Sequence, residues 1–235
     1  MVVEILFNEV CNNYGDGQNV KYLQATLPDA EFIFTSLLDE PYFLNTKPDI
    51  IYIGAMSENT QRKVIEKLLP HKARIEELIN AGVAILATGN AGEIFCKQIN
   101  YVTEKITTEG LGIFDLTVKT DWFNRYHAKI LAKMEDISIV GFRAQFSFLY
   151  GDNVNQYFAK CERGIGINPG SMLEGLRKNN LICTQIIGPI LPLNPLFCEY
   201  FIGLTGTKAS AAYRDEAMRA YEQRLKEFSD PTTAF

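Results

Sequence analysis

Two rhythms of apolar residues alternate along the first hundred positions. Short apolar runs at residues 2–7, 30–35, 48–54 and 83–87 read as strands. Between them, apolar residues return every three or four positions, as on one face of a helix. Val20, Leu23 and Leu27 form one such stripe, stopped by Pro28-Asp29. Val64, Ile65, Leu68 and Leu69 form a second from about Asn59, and Ile75, Leu78 and Ile79 a third beyond Pro70. Proline there must kink the region or begin a new helix, and Gly82 stands where the helix should end. Residues 37–45 read as a loop or short helix. The alternation predicts an α/β fold: three layers, a mostly parallel central sheet, and helices on both faces. Ligands of such sheets lie beyond the carboxyl ends of the strands. Gly54-Ala55-Met56 and Thr88-Gly89-Asn90 are both strand-to-helix junctions at that end, so they are expected to share one cleft.

The stretch at residues 83–96 is the most informative. Five apolar residues in a row match a strand covered on both faces, and Thr88 to Gly92 then turn the chain toward a predicted helix. In many α/β enzymes such a turn lifts a nucleophile on backbone of positive φ. Here the apex is Gly89, which has no side chain.

From Tyr101 the pattern becomes that of short antiparallel strands, at 117–120, 137–142 and 146–150, separated by glycine and polar turns. Gly164-Ile165-Gly166-Ile167-Asn168-Pro169-Gly170-Ser171 is glycine-rich but lacks a Walker lysine or a dinucleotide fingerprint, so it reads as a loop. A strand at 181–187 and a rigid proline-rich turn at 188–195 follow. From about Ser210, Met218, Tyr221, Leu225 and Phe228 give an amphipathic helix expected to cover the body of the domain.

Composition narrows the function. A net charge of −5 argues against nucleic acid or an anionic membrane as partner. No apolar run approaches the roughly 20 residues of a bilayer span, and the first residues lack the basic start and cleavage site of a signal peptide, so a cytoplasmic setting is expected. Cys11, Cys96, Cys161, Cys183 and Cys198 are odd in number and widely spaced, which predicts buried thiols rather than disulfides or a zinc site. With only His71 and His127, both expected at the surface or at helix caps, no metal or cofactor site is indicated.

The order of several motifs resembles the class I glutamine amidotransferases of the cobyric acid synthase type, and within them the amidotransferase subunit of lipid II isoglutaminyl synthase. The motifs are Asn13-Tyr14-Gly15-Asp16-Gly17-Gln18-Asn19-Val20, Ile51-Tyr52-Ile53-Gly54, Leu69-Pro70-His71-Lys72, residues 82–87, Glu109-Gly110-Leu111-Gly112-Ile113-Phe114-Asp115, Val140-Gly141-Phe142 and residues 188–195. The resemblance implies a flavodoxin-like domain at 1–205, with 206–235 as a helical extension packed on it. It also implies glutamine hydrolysis by a thiolate and a histidine, beside backbone N–H groups that hold an oxyanion. At the nucleophile's place this chain has Gly89, followed by Asn90-Ala91, and at the histidine's place it has Ile187. The glycine-rich turn of relatives is Ala55-Met56-Ser57 here, and their Glu-Asn-His run is Arg143-Ala144-Gln145. Cys96 lies seven residues past Gly89, about 10 Å along a helix, too far to substitute, and Cys183 has no histidine near it in sequence.

The leading expectation is therefore an amidotransferase-like protein without glutaminase activity. Its cleft would take a small amide or amino acid at Gly54, Ala55, Gly89, Asn90, Ala91 and Gln145, or the chain would serve as subunit to a synthetase or Mur-ligase-like partner, with a homo-oligomer also open. The alternative is an active enzyme, either an amidotransferase of the cobyrinic acid or cell-wall amidation type or another hydrolase with a non-standard site. A carboxylate general base would then come from Asp16, Glu58 or Glu93, near Gln145.

Overall fold

Residues 1–232 are described by a computed structural model. The expected alternation is present: β1 (Val2–Leu6), α1 (Gly17–Thr26), β2 (Glu31–Thr35), β3 (Ile50–Ile53), α2 (Glu58–Leu68), α3 (Lys72–Asn80) and β4 (Ala84–Thr88). Ten further strands follow: β5 (Cys96–Tyr101), β6 (Ile106–Glu109), β7 (Phe114–Thr120), β8 (Tyr126–Met134), β9 (Ile137–Gln145), β10 (Ser147–Tyr150), β11 (Ala159–Arg163), β12 (Leu173–Glu174), β13 (Leu176–Lys178) and β14 (Leu181–Thr184). The described chain closes with α4 (Ile190–Leu193), α5 (Pro195–Gly203) and α6 (Arg214–Ser229).

The central sheet has six strands in the order β13-β14-β4-β3-β1-β2, parallel except for the edge strand β13. Because side chains alternate along a strand, each strand serves two cores. Ile51, Ile53, Ile85 and Ala87 join Val64, Leu68 and Leu78 of α2 and α3 on one face. Ile50, Tyr52, Ala84 and Leu86 join Leu23 of α1 and Phe197 and Phe201 of α5 on the other. Burial on both faces is why these strands carry unbroken apolar runs. Two four-stranded sheets, β10-β7-β5-β6 and β12-β11-β8-β9, lie beside it.

Three local expectations need correction. The chain past Gly89 forms only a 3-10 stretch, Gly89–Phe95, and then β5. Ile94 and Cys96 give their carbonyls to the N–H groups of Leu111 and Gly112 at 2.8 and 3.0 Å, which takes them out of any helical ladder. The turn at 188–195 is the one-turn α4, and α5 begins at Pro195, where proline suits a first helical position. Phe197, Cys198, Phe201 and Ile202 of α5 are all buried, so no polar face marked it as a helix. Strand β14 stops at Thr184, and Ile187 forms a single bridge to Phe142 of β9.

Helix α6 packs Met218, Tyr221, Leu225 and Phe228 against Leu131, Val140 and Phe142 of the β8–β9 hairpin. The last three residues of the expected 206–235 extension lie outside the described residues. Among the described residues no helix is long and apolar enough to cross a membrane.

Candidate functional site

At the end of β4, Gly89 has φ +59°, the backbone of a strand-to-turn elbow. A Cβ placed there would lie 2.7 Å from Ala55 Cβ and 3.5 Å from Ile187 Cγ2. Residues 55, 89 and 187, far apart in sequence, thus meet at one point, and the Ala55 methyl occupies the room a side chain at 89 would need. The turn that carries Ala55 is tied down. Gly54 admits no side chain, since a Cβ would come within 2.3 Å of the Cys11 carbonyl oxygen. Ala55 N–H donates to Asp16 Oδ2 at 2.7 Å, and Met56 N–H donates to Asn90 Oδ1 at 3.0 Å. Asn90 Nδ2 returns a bond to the Met56 carbonyl at 2.9 Å. Both N–H groups beside the elbow therefore already have internal acceptors.

Asp16 is a tether rather than a cleft residue. It is fully buried and also accepts from Thr88 Oγ1 and Asn19 Nδ2. Burial pushes its carboxyl up, against the pull of these donors.

Beneath the elbow is a narrow recess of about 20 Å³. Gly89, Asn90 and Ile187 form one wall, Ala144, Gln145 and Ser147 of β9 and β10 another, with Glu93 and Gln185 also lining it and Glu58 and Tyr14 among its remaining residues. Glu93 is 1 % exposed and accepts from Ser147 Oγ, from Gln185 Nε2 at 3.0 Å and from Gln61 Nε2 at 2.9 Å. Gln61 is itself fixed, donating to the Asn90 carbonyl at 2.7 Å and accepting from Tyr101 OH at 2.8 Å. Burial pushes the Glu93 carboxyl up to about 7, and the neutral donors only partly oppose it. Burial also raises Glu58, which is half-buried. The Oε1 atoms of Gln145 and Gln185 are buried and have no hydrogen-bond partner.

The recess opens beside a wider groove of about 380 Å³, with which it shares Tyr14, Ala144 and Ile187. Phe142 lines that groove, and the exposed Arg125 and His127 stand on it. His71 sits at the N-cap of α3 without a side-chain cap bond.

All five cysteines are free and buried. Burial raises Cys11, Cys161 and Cys198 to about 12 and holds Cys96 and Cys183 well above the ordinary thiol range. The thiolate is the reactive form, and no cysteine lines the recess. No group of three or more His, Cys, Asp or Glu residues among the described ones could hold a metal ion.

Of the residues singled out in the sequence, Gly89, Asn90, Gln145, Glu58 and Glu93 line the recess, whereas Gly54, Ala55 and Ala91 are buried in the turns behind it. Ser147, Gln185 and Gln61 were not singled out, and Tyr14 only within a motif. A signal existed for Gln185, a polar residue inside the apolar run 181–187, and for Ser147, which alternates between Phe146 and Phe148.

No family model matches the chain. Over 156 residues, 66% of this chain and 62% of the relative, it is 30% identical to the GatD subunit of the glutamine-hydrolyzing lipid II isoglutaminyl synthase of Staphylococcus aureus (strain N315). The match thus covers less than two thirds of that relative's length. Among solved structures the chain is similar to a glutamine amidotransferase at TM-score 0.57 and 15% identity, covering 88% of this chain and 100% of that one. It is also similar to PurLQS from Thermotoga maritima at TM-score 0.53 and 11% identity, covering 95% and 98%. A further glutamine amidotransferase of Thermotoga maritima gives TM-score 0.50 and 8% identity over 97% and 91%. At such identities these structures speak to the fold.

Proposed function

We propose that this chain, a glutamine amidotransferase-like domain by its similarity to GatD, binds a small amide or amino acid without hydrolysing glutamine. One observation carries the reading: the Ala55 methyl lies 2.7 Å from where a nucleophile's Cβ would stand at residue 89. Three further features support it. Ile187 stands in contact range of the same point, at the position where the resemblance implies a base. Asn90 holds the Met56 N–H that could otherwise face an oxyanion. The five thiols are buried and kept protonated.

The test is release of glutamate and ammonia from L-glutamine by the purified chain. Background rates are expected; substantial turnover that a single Cys→Ser change abolishes would overturn the reading. The double variant Gly89→Cys with Ile187→His should stay inactive, because Ala55 obstructs the new side chain. Adding Ala55→Gly should give weak glutaminase activity, and a folded double variant as active as the triple would show that Ala55 is no obstacle.

GatD is by name a subunit of a synthase. A synthetase-like partner subunit for this chain is part of the same proposal, and co-purification with a candidate synthetase tests it. A second reading, an enzyme using a carboxylate base, is favoured by Glu93 lying in the recess with its carboxyl near neutrality. A hydrolase activity lost in Glu93→Gln would favour that reading.

A further inference from the structure

The two outer strands of the central sheet are protected differently. An edge strand presents unpaired backbone groups that a further strand can use, and proteins block this with lysine, proline or a very short edge. Strand β13 has three residues and carries Arg177 and Lys178. Strand β2 has five, Glu31-Phe32-Ile33-Phe34-Thr35, with no basic residue or proline. Among the described residues β1 is the one strand paired with it. Its odd-numbered residues face β1: Glu31 N–H donates to the Met1 carbonyl at 2.9 Å, and the Thr35 carbonyl accepts from Phe7 N–H at 2.7 Å. Backbone groups alternate in direction along a strand, so the N–H and carbonyl of Phe32 and Phe34 point away from the sheet. The side chains beside this edge are apolar. Phe34 is 50 % exposed and Leu38 92 % exposed, and Phe32 packs on the α1 side of the sheet.

We propose that β2 forms the contact of a two-fold homodimer, pairing antiparallel with β2 of a second copy about Ile33. The register follows from which backbone groups are free. Opposed residues in an antiparallel pair exchange both of their hydrogen bonds at every second position. With Phe32 opposite Phe34 of the second copy, and the reverse, every outward group finds a partner, and Ile33 meets its own copy on the axis. A slip by one pair would call instead on the Ala30 N–H, already given to the Leu27 carbonyl, or on the Ser36 carbonyl, already taken by Asp39 N–H. The side chains favour the same register. Phe32 and Phe34 make two cross-strand aromatic pairs on the α1 face, and Glu31, the strand's one charge, falls opposite Thr35 rather than another carboxylate. A surface that is its own complement in this way is what a two-fold contact requires. The strands run oppositely across the axis, so the two recesses lie at opposite ends of the joined sheet, and the contact is independent of what they bind. A contact built on one five-residue strand is small beside the roughly 1,200–2,000 Å² of a stable interface, so association should be weak and concentration-dependent.

Sedimentation equilibrium of the full chain at roughly 0.15 M salt, where the like net charges of −5 are largely screened, tests the proposal. The mass should rise with concentration from that of one chain to that of two. Phe34→Pro removes an outward donor without touching the bonds to β1, and should raise Kd roughly tenfold or more while the far-UV spectrum stays unchanged. Phe34→Lys should do the same, and it carries the test if the proline variant does not fold. Cysteine pairs read the register. Ile33→Cys stands on the axis, with opposed Cα atoms about 4.5 Å apart, and should form an interchain disulfide on oxidation. Leu38→Cys is more exposed but far from its own copy in this register, and should not. The mass of one chain at every concentration, a dimer indifferent to both Phe34 variants, or cross-linking no better through Ile33→Cys than through Leu38→Cys would each overturn the proposal.

Discussion

Gly89 and Ala55 show how a single methyl group can decide what a turn accommodates. A methyl added by Gly89→Ala meets Ala55 Cβ at 2.7 Å on backbone of φ +59°, so overpacking and strain should cost about 1–3 kcal/mol. Ala55→Gly in the same chain should recover part of that loss, and urea unfolding of the four proteins in the cycle reads the coupling directly. Arg143 and Glu174 form a second point of concentrated free energy, an ion pair at 3.2 Å with both side chains fully buried. Glu174 also accepts from Gln185 N–H at 2.8 Å, so the pair holds the backbone that carries a recess residue. Arg143→Met strands a buried carboxylate and should cost about 3–5 kcal/mol in the same unfolding assay. For Glu93 the sign follows from its raised carboxyl. Its folded value of about 7 exceeds the unfolded 4.5, so its contribution is complete below the unfolded value and is lost as pH rises through 7. Wild type should therefore lose up to about 3 kcal/mol more than Glu93→Gln between pH 4.5 and 8, as read by urea midpoints. The missing side chain at 89 was legible in the sequence. The methyl that fills its space was not, because the approach of residue 55 to residue 89 exists only once β3 and β4 pair.

Among the elements, those with a clear polar face or a clean boundary were legible. Strands β1 to β4 and helices α1 to α3 follow their apolar spacing, and α6 carries its stripe where expected. Helix α5 was missed because burial had removed the periodicity on which a helix is recognised. The short 3-10 stretch after Gly89 was read as a helix because its partners, Leu111 and Gly112, come from a later loop. At the α6 contact, Phe228 is 3 % exposed and meets Phe142 edge-on at a ring separation of 5.5 Å. Phe228→Ala should lower unfolding free energy by about 3 kcal/mol, measurable by denaturant titration.

At the scale of the whole molecule, the site is assembled from far-separated stretches: the ends of β3 and β4, the start of α2, the β9–β10 corner and the segment after β14. The sequence showed which strand ends could face one another, since parallel sheets bind at their carboxyl ends. It did not show that β9 and β10 would close the recess, because that depends on how the smaller sheets lie beside the large one. Helix α6 packs on the β8–β9 hairpin rather than on the central sheet. A chain cut after residue 205 should therefore lose from its far-UV spectrum only the helical signal of α6 while exposing Leu131, Val140 and Phe142, and a hydrophobic dye should fluoresce with the shortened chain and not with the full one. Failure of the cut chain to fold would place α6 within the cooperative unit.

The methyl of Ala55 also acts as a ratchet. A thiol installed first at residue 89 collides with it, an imidazole installed first at 187 has nothing to deprotonate, and a glycine installed first at 55 leaves a void and a looser turn. Three changes would therefore have to be made together before a thiol at residue 89 met a base at 187, and packing couples positions that lie 98 residues apart in the chain.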